Sequence, residues 1–301
     1  MPRALRVATR GSELARWQAS RVATLLGADT ELVVVSTSGD RRADVPIHAV
    51  GGTGIFVKEV QQAVLDGRAD LAVHSAKDLP ASDTPEGLVL AATPERADPR
   101  DALVGSTLDA LPAGARVATG SVRRRAQLAA LRPDLTFAEL RGNIATRLAR
   151  AADYDAVVVA AAALARLGFD DRIDEYLEPS VVLPQVAQGA LAVECRADDD
   201  DTLARLLAID DARVHAAVDA ERAYLAELGG GCDLPCGALA HVDDDGVAVE
   251  ALLAATDGHV VLRATVHDAD PVVAGRAVAA ELMERGGRSL LEDGSLLGDG
   301  A

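Results

Sequence analysis

No stretch of this chain stays apolar long enough to suggest a bilayer span. The longest uncharged apolar run, Ala156 to Ala165, has ten residues, against about 20 for a transmembrane helix. A soluble chain without a membrane partner is expected. Arg3, Arg6 and Arg10 interrupt the stretch that an export signal would keep apolar, so the expected location is cytoplasmic. Cysteine is scarce: Cys195, Cys232 and Cys236 are too few, and odd in number, for a disulfide framework. Lysine is scarcer, with Lys58 and Lys77 the only two among thirty basic residues. Arginine therefore replaces lysine chain-wide, and the choice of arginine at one position carries no argument. Positive charge as a whole is short: 30 basic against 47 acidic residues leave a net −17, which disfavours nucleic acid as a partner.

What is present points to a folded, multi-domain protein. Its 301 residues, 49% of them apolar, suit two or three domains of roughly 100 residues each. Charge is unevenly spread. Between Arg116 and Arg166 nine arginines face four acids, whereas thirteen acids and four arginines follow from Asp233 onward. Short β runs alternate with helical patterns through the first two-thirds, the signature of α/β units around a largely parallel sheet. Leu5 to Thr9, Glu31 to Ser36, Asp70 to His74 and Val89 to Thr93 read as strands of one unit, and Pro94 to Pro99 as a hinge. Arg116 to Ala118, Leu135 to Leu140 and Asp155 to Ala160 read as strands of a second. Gly189 to Glu194 reads as a strand returning to the first. Asp201 to Leu228 reads as two helices broken near Asp210, and the remainder as a small α+β domain.

Several segments carry possible chemistry. Thr9-Arg10-Gly11-Ser12 and Thr119-Gly120-Ser121 each put small polar residues between a strand and a helix, where free N–H groups attract anions; Arg10, Arg123 and Arg124 could grip carboxylates there. Ordinary helix capping with solvated arginines is the alternative. Gly51-Gly52-Thr53-Gly54 lacks the residues of a phosphate or dinucleotide loop and reads as a close-packed turn. His74-Ser75-Ala76-Lys77-Asp78-Leu79-Pro80 leaves a buried strand at the carboxyl end of a sheet, where open α/β sheets bind ligands. Asp78 could stabilise a cation or carry a proton, or merely cap a turn. Cys232 follows three glycines and could be a covalent attachment point, an inert small residue, or a metal ligand with Cys236 and His241.

Taken together, these segments closely resemble the porphobilinogen deaminases, or hydroxymethylbilane synthases. The matching stretches are Ala8-Thr9-Arg10-Gly11-Ser12, Phe56-Val57-Lys58-Glu59, Val73 to Pro80, Asp98-Pro99-Arg100-Asp101, Arg141-Gly142-Asn143 with Thr146-Arg147-Leu148, Gln188-Gly189-Ala190, and Gly230-Gly231-Cys232 with Pro235. They occur in family order and cover nearly the whole chain. The resemblance implies an α/β fold of two hinged, periplasmic-binding-protein-like domains plus a small α+β C-terminal domain. Its boundaries would be residues 1–93 with 190–209, then 97–185, then 212–301.

It further implies a transferase that joins four porphobilinogen molecules head to tail into hydroxymethylbilane, releasing ammonia at each step. A dipyrromethane held by thioether on Cys232 would prime the chain, with no metal. Carried over by position, Lys77, Asp78, Thr119, Ser121, Arg123, Arg124, Arg141, Gly142 and Arg147 would hold that cofactor. Arg10, Ser12, Arg141, Arg147, Arg166 and Gln188 would bind substrate, and Asp78 would be catalytic. The protein would be a monomer with porphobilinogen as its small-molecule partner and no nucleic acid. Three positions depart from the family pattern: Thr53 replaces a common lysine, Gly120 a common serine, and Cys236 adds a second thiol. A non-catalytic solute-binding protein is the rival from another class. It would share the hinged fold and the anion loops, but it explains neither the glycine-embedded cysteine nor the third domain.

Overall fold

Three sheets organise the described chain, residues 3–37, 57–82, 84–230 and 234–292 of a computed structural model. The Gly51 to Gly54 turn, Phe56 and Cys232 lie outside the described residues. The first sheet contains β1 (Leu5–Arg10), β2 (Thr30–Val35), β3 (Leu71–Ser75), β4 (Leu88–Ala92) and β10 (Leu191–Arg196), in the order β2-β1-β3-β10-β4. The second contains β5 (Asp101–Val104), β6 (Arg116–Ala118), β7 (Thr136–Ala138), β8 (Ala156–Ala160) and β9 (Glu175–Leu177), in the order β7-β6-β8-β5-β9. The two orders are the same plan used twice.

Neither sheet is as parallel as the alternating pattern suggests. β1 is parallel to β2 and β3, but β10 is antiparallel to β3 and β4. Likewise β6 is parallel to β7 and β8, while β5 is antiparallel to β8 and β9. The crossing of the chain explains this. β10 and β5 each arrive from the other domain and enter at the end where their neighbours leave: Leu191 pairs with Ser75, and Asp101 with Ala160. A strand entering at that end must run backwards.

β8 is buried along its whole length, because both faces are covered. Val157 and Val159 pack with Leu148 and Leu164, and Ala156 and Val158 with Leu103 and Leu128. A central strand covered on both sides reads as an unbroken apolar run. The hinge between the sheets is two-stranded: Arg96 bridges Ala190, Ala97 N donates to Gly189 O at 3.0 Å, and Leu191 N to Glu95 O at 3.2 Å. Gly189 is needed there. Its φ is +87°, and a Cβ would sit 2.4 Å from Ala97 O.

The third sheet is an antiparallel meander of β11 (Cys236–Val242), β12 (Val247–Ala254) and β13 (Val261–Asp268). α7 (Ala212–Glu227) and α8 (Pro271–Leu282) pack on it. The expected break near Asp210 separates α6 (Asp200–Leu207) from α7, and Asp211 caps α7 by accepting from Arg213 N and Val214 N. One apolar cluster, in which Ala76, Leu79, Val186 and Ala190 join Val218, Tyr224 and Val278, ties this domain to the first domain and the hinge, and a second, of Ala126 and Leu183 with Leu239 and Leu252, ties it to the second domain. The segment around Asp78 and the returning hinge strand are thereby packed against the third domain.

Candidate active site

The carboxyl ends of the parallel strands of both sheets open onto one cleft. A cavity there is lined by Lys77 and Asp78 from the first domain, Ser121 and Arg123 from the second, and Gly230 and Cys236 from the third. On the first side, β1 ends at Arg10. Ser12 then caps α1 (Glu13–Leu26), its hydroxyl accepting from Ala15 N at 3.2 Å. Beyond α2 (Lys58–Leu65), β3 runs into a single 3₁₀ turn, Ala76–Asp78. That turn is fixed from several directions. Ala76 N donates to Ala190 O at 3.0 Å, Gln185 Nε2 to Lys77 O at 3.4 Å, and Arg222 Nη2 on α7 to Pro80 O at 2.9 Å. Asp78 is therefore presented by a short, rigid segment held by both the hinge and the third domain.

The second side begins at Thr119, whose Oγ1 accepts from Ser121 N at 3.3 Å. Ser121 caps α3 (Val122–Leu131) by accepting from Arg124 N at 3.5 Å. Consecutive arginines at the start of that helix are both buried, at 2% and 5% exposure. Burial of this kind requires a counter-charge, which Asp101 at the start of β5 supplies. Arg123 Nη2 and Arg124 Nη2 each donate to its carboxylate at 2.7 Å, and Gln188 Nε2 adds a third bond at 2.7 Å. Burial alone would raise the pKa of Asp101, but the two guanidinium charges and these hydrogen bonds outweigh it and hold the carboxyl well below its ordinary range. The arginines are further tied to Leu183 O at 2.6 Å and Val158 O at 3.0 Å.

Lys77 Nζ donates to Gln188 Oε1 at 3.2 Å. Gln188 thus links Lys77 to Asp101, with both ends of its amide engaged inside the protein. The Lys77 ammonium is crowded by protein, and this desolvation lowers its pKa to about 8, with Arg124 and Arg123 adding to the effect and Asp78 and Asp101 opposing it. Arg147 on α4 (Ile144–Ala149) donates Nε to Gly142 O at 2.9 Å. Gly142 makes the turn possible, with φ +108° and room for no Cβ against Thr146. Burial lowers the pKa of Arg147 to about 10, the charges of Arg124 and Arg141 act in the same direction, and Glu139 and Asp78 oppose them. Arg166, on α5 (Ala161–Arg166), donates Nη2 to Gly189 O at 2.7 Å on the hinge.

The cavity therefore unites Lys77, Asp78, Ser121 and Arg123, with Arg124 and Gln188 one contact behind. Arg10, Ser12, Arg141, Arg147 and Arg166 do not line that cavity. Cys236 and His241 lie five residues apart on β11, and so point to opposite faces of the sheet and do not converge on one ion. Asp101, Gln185 and Arg222 organise the site, although the sequence did not single them out for it. Four buried guanidinium nitrogens have no hydrogen-bond partner among the described residues: Nε of Arg123, Arg124 and Arg166, and Nη1 of Arg141.

Comparison with known proteins gives two family matches in chain order. Residues 5–204 match the porphobilinogen deaminase, dipyromethane cofactor binding domain, and residues 215–284 the porphobilinogen deaminase, C-terminal domain. A porphobilinogen deaminase from Roseiflexus sp. (strain RS-1) is 49% identical over 302 residues, covering 97% of this chain and 99% of the relative. One from Brevibacillus brevis is 44% identical, covering 96% of each. Among solved structures, a TRAP periplasmic solute binding protein from Desulfovibrio salexigens aligns with TM-score 0.41 and 12% identity, covering 69% of this chain and 72% of that one.

Proposed function

The chain belongs to the porphobilinogen deaminase family, and from that premise we propose that its cleft cradles pyrrole carboxylates while Asp78 serves bond formation. The activity is the head-to-tail joining of four porphobilinogen molecules into hydroxymethylbilane with release of ammonia, a transferase step of heme biosynthesis primed by a bound dipyrromethane. The observation that carries the proposal is the set of four buried, unpartnered guanidinium nitrogens. A buried donor left unsatisfied costs about 1–3 kcal/mol, so such a set suits a polycarboxylate ligand. Each pyrrole brings an acetate and a propionate, and the cofactor fits this donor set.

In this reading Lys77, Thr119, Ser121, Arg123, Arg124, Arg141, Gly142 and Arg147 hold the cofactor. Arg10, Ser12, Arg141, Arg147 and Arg166 receive the incoming unit. Gln188 acts one contact away, by holding Lys77 and Asp101. When bound, the dipyrromethane supplies the free pyrrole carbon on which the chain grows. Asp78 faces the positive charge that develops on porphobilinogen as its amine departs, and accepts from the pyrrole N–H. Asp101 keeps Arg123 and Arg124 charged, oriented and stationary, so no reorganisation is needed when a carboxylate arrives. The three sheets support domains at 1–93 with 190–209, 97–185 and 212–301. The proposal also takes the protein to be a cytoplasmic monomer without a nucleic-acid partner, to be tested by fractionation and sedimentation.

Cys232 is assigned the thioether. Cys232→Ser should abolish the pyrrole adduct and Cys236→Ser should retain it, because Cys236 is fixed at the start of β11, paired with Leu253. Peptide mapping that finds the pyrroles on Cys236 would reverse the assignment. Lys77 gives a pH signature. Its positive charge is lost as pH rises through about 8, so loading of the apoprotein by porphobilinogen should slow above that pH. Lys77→Arg, which stays protonated, should carry the fall to higher pH. Superimposable profiles for the two proteins would remove Lys77 from the cofactor site.

A further inference from the structure

The chain's single tryptophan, Trp17, stands on α1 with 36% of its surface exposed. Trp17 and two neighbours on this helix reach three different places. Gln18 Nε2 donates to Ser75 Oγ at 2.8 Å, at the end of β3, and Arg21 Nε donates to Glu95 Oε2 at 3.0 Å, on the hinge. Trp17 itself lies under Arg166 of the second domain, whose Cζ is 5.5 Å from the ring centroid. Arg166 is buried, uses Nη2 on the hinge carbonyl of Gly189, and keeps an unpartnered Nε.

An aromatic face holds a guanidinium differently from a carboxylate. It attracts the cation through the ring quadrupole, consumes no N–H and cancels no charge. We propose that Trp17 is a positioning residue for elongation, its ring holding the Arg166 guanidinium across the interdomain cleft with Nε available to a pyrrole carboxylate. The inference rests on the reading of Arg166 as a carboxylate-binding residue. It also assigns the contact a conformational meaning: Trp17 and Arg166 belong to different domains, so the pair exists only when the two domains face each other at this separation.

The test uses loaded holoenzyme and four variants: Trp17→Leu, Trp17→Phe, Arg166→Gln and the Trp17→Leu/Arg166→Gln double. Trp17→Leu should raise KM for porphobilinogen roughly three- to tenfold, with a smaller change in kcat, and Trp17→Phe should recover most of the loss. If Trp17 acts through Arg166, the double variant should be no worse than Arg166→Gln within about twofold. Arg166→Gln should also shift the emission of the lone tryptophan, a readout independent of turnover. Multiplying effects in the double variant, or wild-type KM in Trp17→Leu beside an impaired Arg166→Gln, would overturn the inference alone. Wild-type KM in Arg166→Gln would overturn both it and the reading of Arg166.

Discussion

Replacement of Asp78 by asparagine is expected to lower the rate of hydroxymethylbilane formation roughly 10²–10³-fold, the loss of a well-placed electrostatic partner of the transition state. The substitution nearly preserves shape, and the 3₁₀ turn is held by Ala190, Gln185 and Arg222 through backbone groups that it does not touch. Geometry should therefore survive while the negative charge is removed. Binding should suffer less than chemistry, since a carboxylate does little to attract a substrate that is itself anionic. Asp78→Glu retains the charge one methylene further out and should keep partial activity. Purified Asp78→Asn should still contain bound pyrroles and form little product; wild-type turnover would return Asp78 to a role in the turn.

Asp101→Ala carries the second large effect. The carboxylate is fully buried between two buried guanidinium groups, and its removal leaves two uncompensated charges, a change that costs about 3–5 kcal/mol. Urea unfolding of the apoprotein at neutral pH should show a loss of that size. The pH dependence has a definite sign. A carboxyl whose folded pKa is depressed contributes its full stability above its unfolded value, about 4, and loses that contribution progressively as pH falls from there through the folded value. The Asp101 contribution should thus be complete down to about pH 4, decline below it, and disappear only in strong acid. An Asp101→Ala protein as stable as the wild type would show that the arginine pair is balanced by another group.

Local chemistry was the legible part of this molecule. Ser12 and Ser121 were readable as helix starts because a cap depends on the next three residues, and both make that bond. The arginine field between Arg116 and Arg166 was visible as composition. Its pairing was not, because Asp101 precedes Arg123 by 22 residues, a separation that no local pattern spans. β5 and β9 were missed for a related reason: four- and three-residue strands owe their form to the sheet they join rather than to their own pattern. The Leu135 to Leu140 strand was overextended, since only Thr136–Ala138 pairs with β6. Antiparallel entry of β5 and β10 follows from the hinge crossing, which no local periodicity records.

Whether this cleft holds a covalent dipyrromethane and extends it is decided by the intact mass of the purified protein. The expected mass is that of the polypeptide plus two porphobilinogens less two ammonias, with further increments of one porphobilinogen less one ammonia after brief exposure to substrate. A protein that weighs only what its sequence requires, and gains nothing when porphobilinogen is added, would contradict it.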